Sequence, residues 1–216
     1  MQSQSFQLTL EKNPLISINV VPGHFTTGNN HVTHYLDVSG LKSNALLARD
    51  VARELAIPYL STTLVHTIVC TERTEVIGAY LAEELVQGGI AVVNGWEEIH
   101  IVTPITNNIG HLYFTGSTIK WISNCNIILL ANSISSGRTI NSALDCIAYY
   151  GGNVIGISSL FLVTDYRQDQ EINALFTSDD LPGYRIYPSR NCPMCQAGQK
   201  LDALISSEGY SYLSLK

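Results

Sequence analysis

Apolar and polar positions along the chain switch between two periods, and the switch outlines a fold. "LVHTIVC" (64–70), "IAVVN" (90–94), "IILLA" (127–131) and "NVIGISSLFLV" (153–163) are nearly unbroken apolar runs, the pattern of strands buried on both faces. Between them, "EVIGAYLAEELVQGG" (75–89) and "RTINSALDCIAYYGG" (138–152) read as helices that stop at double glycines. In the second, Ile140, Ala143, Leu144 and Ile147 share one face. Upstream, Leu41, Ala45, Ala48, Ala52, Leu55 and Ala56 recur at helical spacing in "LKSNALLARDVARELAI" and predict one amphipathic helix. Residues 14–37 predict short strands punctuated by Pro22-Gly23 and Gly28-Asn29-Asn30.

Strand and helix alternate from Leu64 to Val163. This predicts right-handed crossovers and an α/β fold, a parallel sheet with helices on both faces. Residues 97–121 carry no clear element, and a connection of that length tends to be functional or mobile. The last 50 residues are mixed, with a turn-rich "TSDDLPGY" and a cysteine pair in "NCPMC". A length of 216 residues suits one sizeable α/β domain, and no repeat or low-complexity tract divides it.

Composition narrows the partners. The chain is 45% hydrophobic and 14% charged, so burial is ample, and its net charge of −6 argues against a sequence-independent nucleic-acid binder. No apolar run approaches the roughly 20 residues that span a bilayer, so no membrane partner is expected. "MQSQSFQLTLEKNPL" has neither the basic nor the apolar region of a signal peptide, and a cytoplasmic location is the expectation. Cysteines number five, and Cys70, Cys125 and Cys146 lie in apolar segments, as reduced buried thiols do.

The candidate chemistry sits in "IILLANSISSGRT", Ile127–Thr139. An apolar strand runs into Ser133, Ser135, Ser136, Gly137, Arg138 and Thr139, and then a helix begins. That order places backbone N–H groups and a helix N-terminus at the carboxyl edge of the sheet, where a phosphate monoester fits. An ordinary capped helix start, with a serine satisfying an orphan N–H, is the plainer alternative.

The stretch resembles the signature of the type I phosphoribosyltransferases: four apolar residues, two acidic, an apolar, two variable, then Thr/Ser-Gly-Gly-Thr. Gly23, His24, Phe25, Gly28, His31, Tyr35 and Asp37 in "GHFTTGNNHVTHYLD" are similar to the N-terminal segment of the orotate phosphoribosyltransferases. "LVHTIVCTERTEVIGAYLAEEL" is similar to the family's strand, pyrophosphate loop and helix. The resemblance covers roughly residues 20–163. It implies a core at about 38–163 with a small hood from 1–37 and 164–216, and a homodimer. It implies transfer of a 5-phosphoribosyl group from phosphoribosyl pyrophosphate to a nucleobase, orotate-like or purine, with Mg2+ accompanying the donor. By resemblance, Ser135 to Thr139 grip the 5′-phosphate and Thr71, Glu72, Arg73 and Thr74 form the pyrophosphate loop.

Two departures qualify that reading. The family's acidic pair, which binds the ribose hydroxyls, falls here on Ala131 and Asn132. The mobile loop that supplies cations corresponds to "IHIVTPITNNIGHLYFTGSTI" (99–119), which has no Lys or Arg. His111 is its candidate catalytic group, and Lys120 lies at its end. These departures favour an alternative: a non-catalytic sensor of phosphoribosyl pyrophosphate or a nucleoside monophosphate.

Two metal readings also stand. His24, His31 and His34 could gather round a metal or a base, although loop histidines more often satisfy local hydrogen bonds. Cys192-Pro-Met-Cys195, followed by Gly198, resembles half of a zinc knuckle. A closed Zn2+ site needs four ligands, so a dimer mate or a distant cysteine has to complete it.

Overall fold

Among the described residues the periodicity becomes eighteen strands and α-helices. Strands β1 (Phe6–Thr9), β2 (Ser17–Thr26) and β3 (Asn30–Asp37) precede helices α1 (Ser39–Ser43) and α2 (Ala45–Ala56). Then come β4 (Thr67–Cys70), α3 (Glu75–Gln87), β5 (His100–Val102) and the short pair β6 (Ile105–Thr106) and β7 (Leu112–Tyr113). Next are β8 (Asn126–Ile134), α4 (Arg138–Tyr149), β9 (Asn153–Leu162) and β10 (Ile172–Thr177). Last are β11 (Ile186–Pro188), α5 (Pro193–Gln196), β12 (Ala203–Ser206) and β13 (Gly209–Tyr212). The structure, a computed structural model, describes residues 5–87, 93–95, 97–164, 171–206 and 209–213. The chain divides into two compact units, one of Leu41–Thr177 and one joining Met1–Gly40 to Ser178–Lys216.

The larger unit is built on a five-stranded sheet in the order β10-β9-β8-β4-β5, and every pairing in it is parallel. From β4 the chain crosses to β5 on one side through α3, and from β8 to β9 on the other through α4. Right-handed crossovers in opposite directions put the two helices on opposite faces. The packing agrees. Gly78 of α3 lies against Cys70, Ile68 and Ile101. The alternate residues Val69 and Val102 join Ile140, Ala143 and Ile147 of α4 in one buried cluster. The parallel sheet with helices on both faces is therefore present, and no helix of the described residues is long and apolar enough to cross a membrane.

The structure revises three of the expected elements. The helix expected over 41–57 is broken at Asn44, whose Oδ1 accepts from the backbone N–H of Leu46 at 3.0 Å and Leu47 at 3.3 Å. An asparagine offers its own backbone a cap, and so starts α2 afresh. Of the strand expected at 90–94, residues 90–92 lie outside the described residues, while Val93 and Asn94 lie in a turn. The sheet's edge is instead β5, from the stretch where no element was expected; three residues are too few to show a period. At the other edge, β10 comes from the mixed C-terminal region and pairs with β9.

The smaller unit carries a six-stranded sheet, order β11-β3-β2-β12-β13 with β1 also on β2. Its β2–β3 hairpin shifts register between Pro22 and Phe25, a bulge that re-aims His24.

One close contact locks α2's exit to the larger sheet. The Tyr59 hydroxyl lies 2.9 Å from Ser158 Oγ and 3.3 Å from the Ile157 carbonyl. A Cβ at Gly156 would stand 2.9 Å from that hydroxyl, closer than real Cβ contacts come. Gly156→Ala should therefore displace the buried ring and cost about 1–3 kcal/mol. Thermal unfolding should then show a melting point lower by roughly 2–12 °C, and an unchanged value would refute the contact.

Candidate functional site

Cys70 on β4 pairs with Leu130 on β8, so the loops leaving these neighbouring parallel strands emerge side by side at one edge of the sheet. In open α/β sheets that edge is where ligands bind. β8 runs through Ser133 and Ile134, which pair with Phe161 and Leu162. The turn is thus confined to Ser135–Gly137, and α4 starts at Arg138. Gly137 takes the left-handed conformation, φ 77°, and no side chain caps the helix. The serine cap that would make this an ordinary helix start is absent. Ser136, Arg138 and Thr139 are exposed, Ser133 and Ser135 are half-buried and Gly137 is buried, so the sequence-predicted cradle residues come together at one turn.

The loop after β4, read from sequence as a pyrophosphate loop, is braced from within. Thr71 and Thr74 are buried. Thr71 Oγ1 donates to the Leu130 carbonyl at 3.3 Å, and Thr74 Oγ1 to the Thr71 carbonyl at 2.9 Å. Their hydroxyls brace the loop. Glu72 and Arg73 between them both adopt left-handed backbone, φ 54° and 65°. Non-glycine residues rarely do so, and such strain collects at functional sites. Arg73 is exposed.

Glu72 turns inward. Its carboxylate accepts from the Ser133 backbone N–H at 3.4 Å, and Asn132's backbone N–H also reaches it. Lys42 on α1 donates to the Glu72 carbonyl at 3.1 Å and holds a positive charge near the carboxylate. Sequence reading placed Glu72 in the pyrophosphate loop but missed Lys42 and this crossing to β8, because the loop crossing that brings them together has no local signature. Burial pushes the Glu72 carboxyl above its ordinary range, opposed by the Ser133 N–H, the Lys42 charge and the Asn132 N–H. Ala131, one of the two positions matched to the family's acidic pair, is buried in the apolar cluster under α4. Asn132 Oδ1 is buried, with no hydrogen-bond partner among the described residues. Buried polar atoms in native folds are nearly always bonded, so this acceptor is set up for a donor.

The cysteine beside the site is inert: burial pushes the Cys70 thiol up to about 12. His111 is exposed at the β6–β7 hairpin, its N–H bonded to Asn107 Oδ1 at 2.9 Å. Lys120 lies over the Trp121 ring, 4.8 Å from its centroid. Apart from this site, Cys192 and Cys195 come together with His24 and His31 in the smaller unit, a donor set able to hold a metal. His34 is elsewhere, stacked on Tyr184.

No family model matches the chain, and no curated protein matches its sequence. Solved structures do match its fold. UMP synthase from Leishmania donovani aligns over 73% of this chain and 33% of its own, at 17% identity and a TM-score of 0.53. Adenine phosphoribosyltransferase from Thermoanaerobacter pseudethanolicus aligns over 80% and 94%, at 15% identity and a TM-score of 0.51. Adenine phosphoribosyltransferase from Leishmania donovani aligns over 74% and 78%, at 16% identity and a TM-score of 0.50. The chain therefore has the type I phosphoribosyltransferase fold.

The raised Glu72 carboxyl has a consequence for stability. The folded state favours its protonated form, so its contribution is present at low pH. It is lost as pH rises from the ordinary glutamate range through the raised folded value. Glu72→Gln keeps an acceptor oxygen without the charge. Urea unfolding across that range should show the variant gaining on the wild type as pH rises; a difference that does not change with pH would contradict this.

Proposed function

We propose that the chain binds a ribosyl 5′-phosphate ligand at the ends of β4 and β8, and transfers a 5-phosphoribosyl group from phosphoribosyl pyrophosphate to a nucleobase. The base is orotate-like or purine. The phosphate sits on the backbone amides of Ser135–Thr139 and the uncapped start of α4, where the positive end of the helix dipole favours it. The observation that carries the reading is the Glu72 carboxylate at the end of β8. It brings a negative acceptor from the neighbouring loop to the strand end where the acidic pair of the resembled signature is missing. With Asn132 Oδ1 it offers the ribose hydroxyls two acceptors.

The same two oxygens suit a hard cation. Magnesium takes oxygen ligands, keeps several waters and is held largely by substrate phosphates, so Glu72 and Asn132 fit it as side-chain donors. When bound it offsets the charge of the pyrophosphate. Arg73, exposed at the same edge, serves that leaving group from the protein side. A homodimer belongs to the same reading, and light scattering should give the mass of two chains.

The alternative, a non-catalytic sensor of the donor or of a nucleoside monophosphate, is favoured by one observation. The β6–β7 hairpin has no Lys or Arg, and the adjacent Lys120 is engaged on Trp121. Loss of one donor aimed at developing charge commonly costs on the order of 100-fold in rate.

Calorimetry separates the parts. Ribose 5-phosphate and phosphoribosyl pyrophosphate should bind more tightly than inorganic phosphate. Glu72→Gln should weaken both sugars by about tenfold while leaving inorganic phosphate unchanged, the loss expected for one charge-assisted hydrogen bond. Equal loss for all three ligands, or none, overturns the role of Glu72. Pyrophosphate release with orotate or adenine marks the enzyme; ligand binding without release marks the sensor.

A further inference from the structure

Four side chains of the smaller unit aim soft donor atoms at one point, and nothing in the proposed transfer uses them. His24 lies in the bulge of β2, His31 at the start of β3, Cys192 at the N-cap of α5 and Cys195 within that helix. His24, His31 and Cys192 are buried, Cys195 is exposed, and their four ligand atoms lie within 4.8 Å of one another. His24 Nε2 is 3.0 Å from His31 Nδ1, 3.4 Å from Cys192 Sγ and 3.7 Å from Cys195 Sγ. Cys195 Sγ is 3.3 Å from His31 Nδ1. From this geometry we propose that His24 Nε2, His31 Nδ1, Cys192 Sγ and Cys195 Sγ bind one structural zinc ion.

Three independent features support a cation over a bare polar cluster. Zinc bonds of about 2.0–2.1 Å to nitrogen and 2.3 Å to sulfur, set tetrahedrally, leave ligand atoms roughly 3.3–3.8 Å apart. The three nitrogen–sulfur distances given above fall in that range, the nitrogen pair is slightly shorter, and all four atoms stay within 4.8 Å of one another. The tautomer is also fixed from outside. His24 Nδ1 lies 3.0 Å from the Gln199 carbonyl, which can only accept, so Nδ1 carries the proton and Nε2 presents its lone pair inward. Burying two imidazoles and a thiol face to face without a shared partner is costly, and a metal supplies that partner.

The backbone around the knuckle is organised to hold it. His24 N–H donates to Asp202 Oδ2 at 2.7 Å, and Asp202 N–H donates back to the His24 carbonyl at 2.8 Å. After Cys195 the chain turns at Gly198, φ 74°, with Gly198 N–H on the Cys195 carbonyl at 3.0 Å. All four ligands come from the protein, which marks a closed structural site with no open position for catalysis. The ion ties the N-terminal hairpin to a segment 168 residues further along.

Metal analysis of the full chain, purified under reducing conditions, tests this directly. One zinc per chain is expected. Reconstitution with cobalt(II) should give the intense visible bands of a tetrahedral site together with thiolate-to-metal charge transfer. Cys195→Ser, at an exposed position, should lower zinc affinity by at least about 100-fold, beyond the 10–100-fold cost of losing an outer-shell partner. Cys125→Ser, in the other unit, should keep the ion. A chain that takes up no zinc on reconstitution, a pale octahedral cobalt spectrum, or a Cys192–Cys195 disulfide in the reduced preparation would each overturn the proposal.

Discussion

The candidate ligand site depends on the parallel pairing of β4 with β8. Parallel strands point their carboxyl ends the same way, and in-register pairing of Cys70 with Leu130 makes the two following loops neighbours. Once they are neighbours, Thr71 and Thr74 can both use the Leu130 carbonyl, and Glu72 can cross to the backbone of Ser133. Such a sheet exists only if both faces are covered. Burial of Ile68 and Cys70 towards α3, and of Val69 towards α4, is therefore a condition of the site as much as of stability.

The strained backbone at Glu72 and Arg73 follows from the same arrangement. Each left-handed non-glycine residue costs of order 1–2 kcal/mol, and such strain persists only where the surroundings hold it. The threonine hydroxyls on either side, the Lys42 bond to the Glu72 carbonyl and the Ser133 N–H on its carboxylate do so here. A rigid loop set by its neighbours is better suited to a charged ligand than one ordered only on binding.

What the sequence showed, and what it hid, divides along physical lines. Long apolar runs and helical periods revealed β8, β9, α3 and α4, because local burial leaves a local pattern. The three-residue β5 left none. Asn44 was readable in principle, since asparagine within a helical pattern marks a cap, but the apolar period continued across it. The Ser135–Gly137 turn was legible because its parts are contiguous. The Glu72–Ser133 contact and the His24–Cys192 approach were not, since each joins residues brought together only by the completed fold. The cysteine pair was visible as half of the cluster, and the histidine group mixed its other two members with His34, which sits against Tyr184.

The division of the chain into one continuous and one interrupted unit bears on how it is made. The segment Leu41–Thr177 contains every strand of its own sheet and can fold as soon as it has been synthesised. The hairpin β2–β3 is made before that segment yet acquires two of its partner strands, β11 and β12, after it. Until β11 and β12 have been synthesised, the outer side of β3 and the Phe25–Thr26 end of β2 are open, and open edges invite pairing with other chains. The burden of chaperoning therefore falls on the β2–β3 hairpin, which waits for partners made after the whole larger unit.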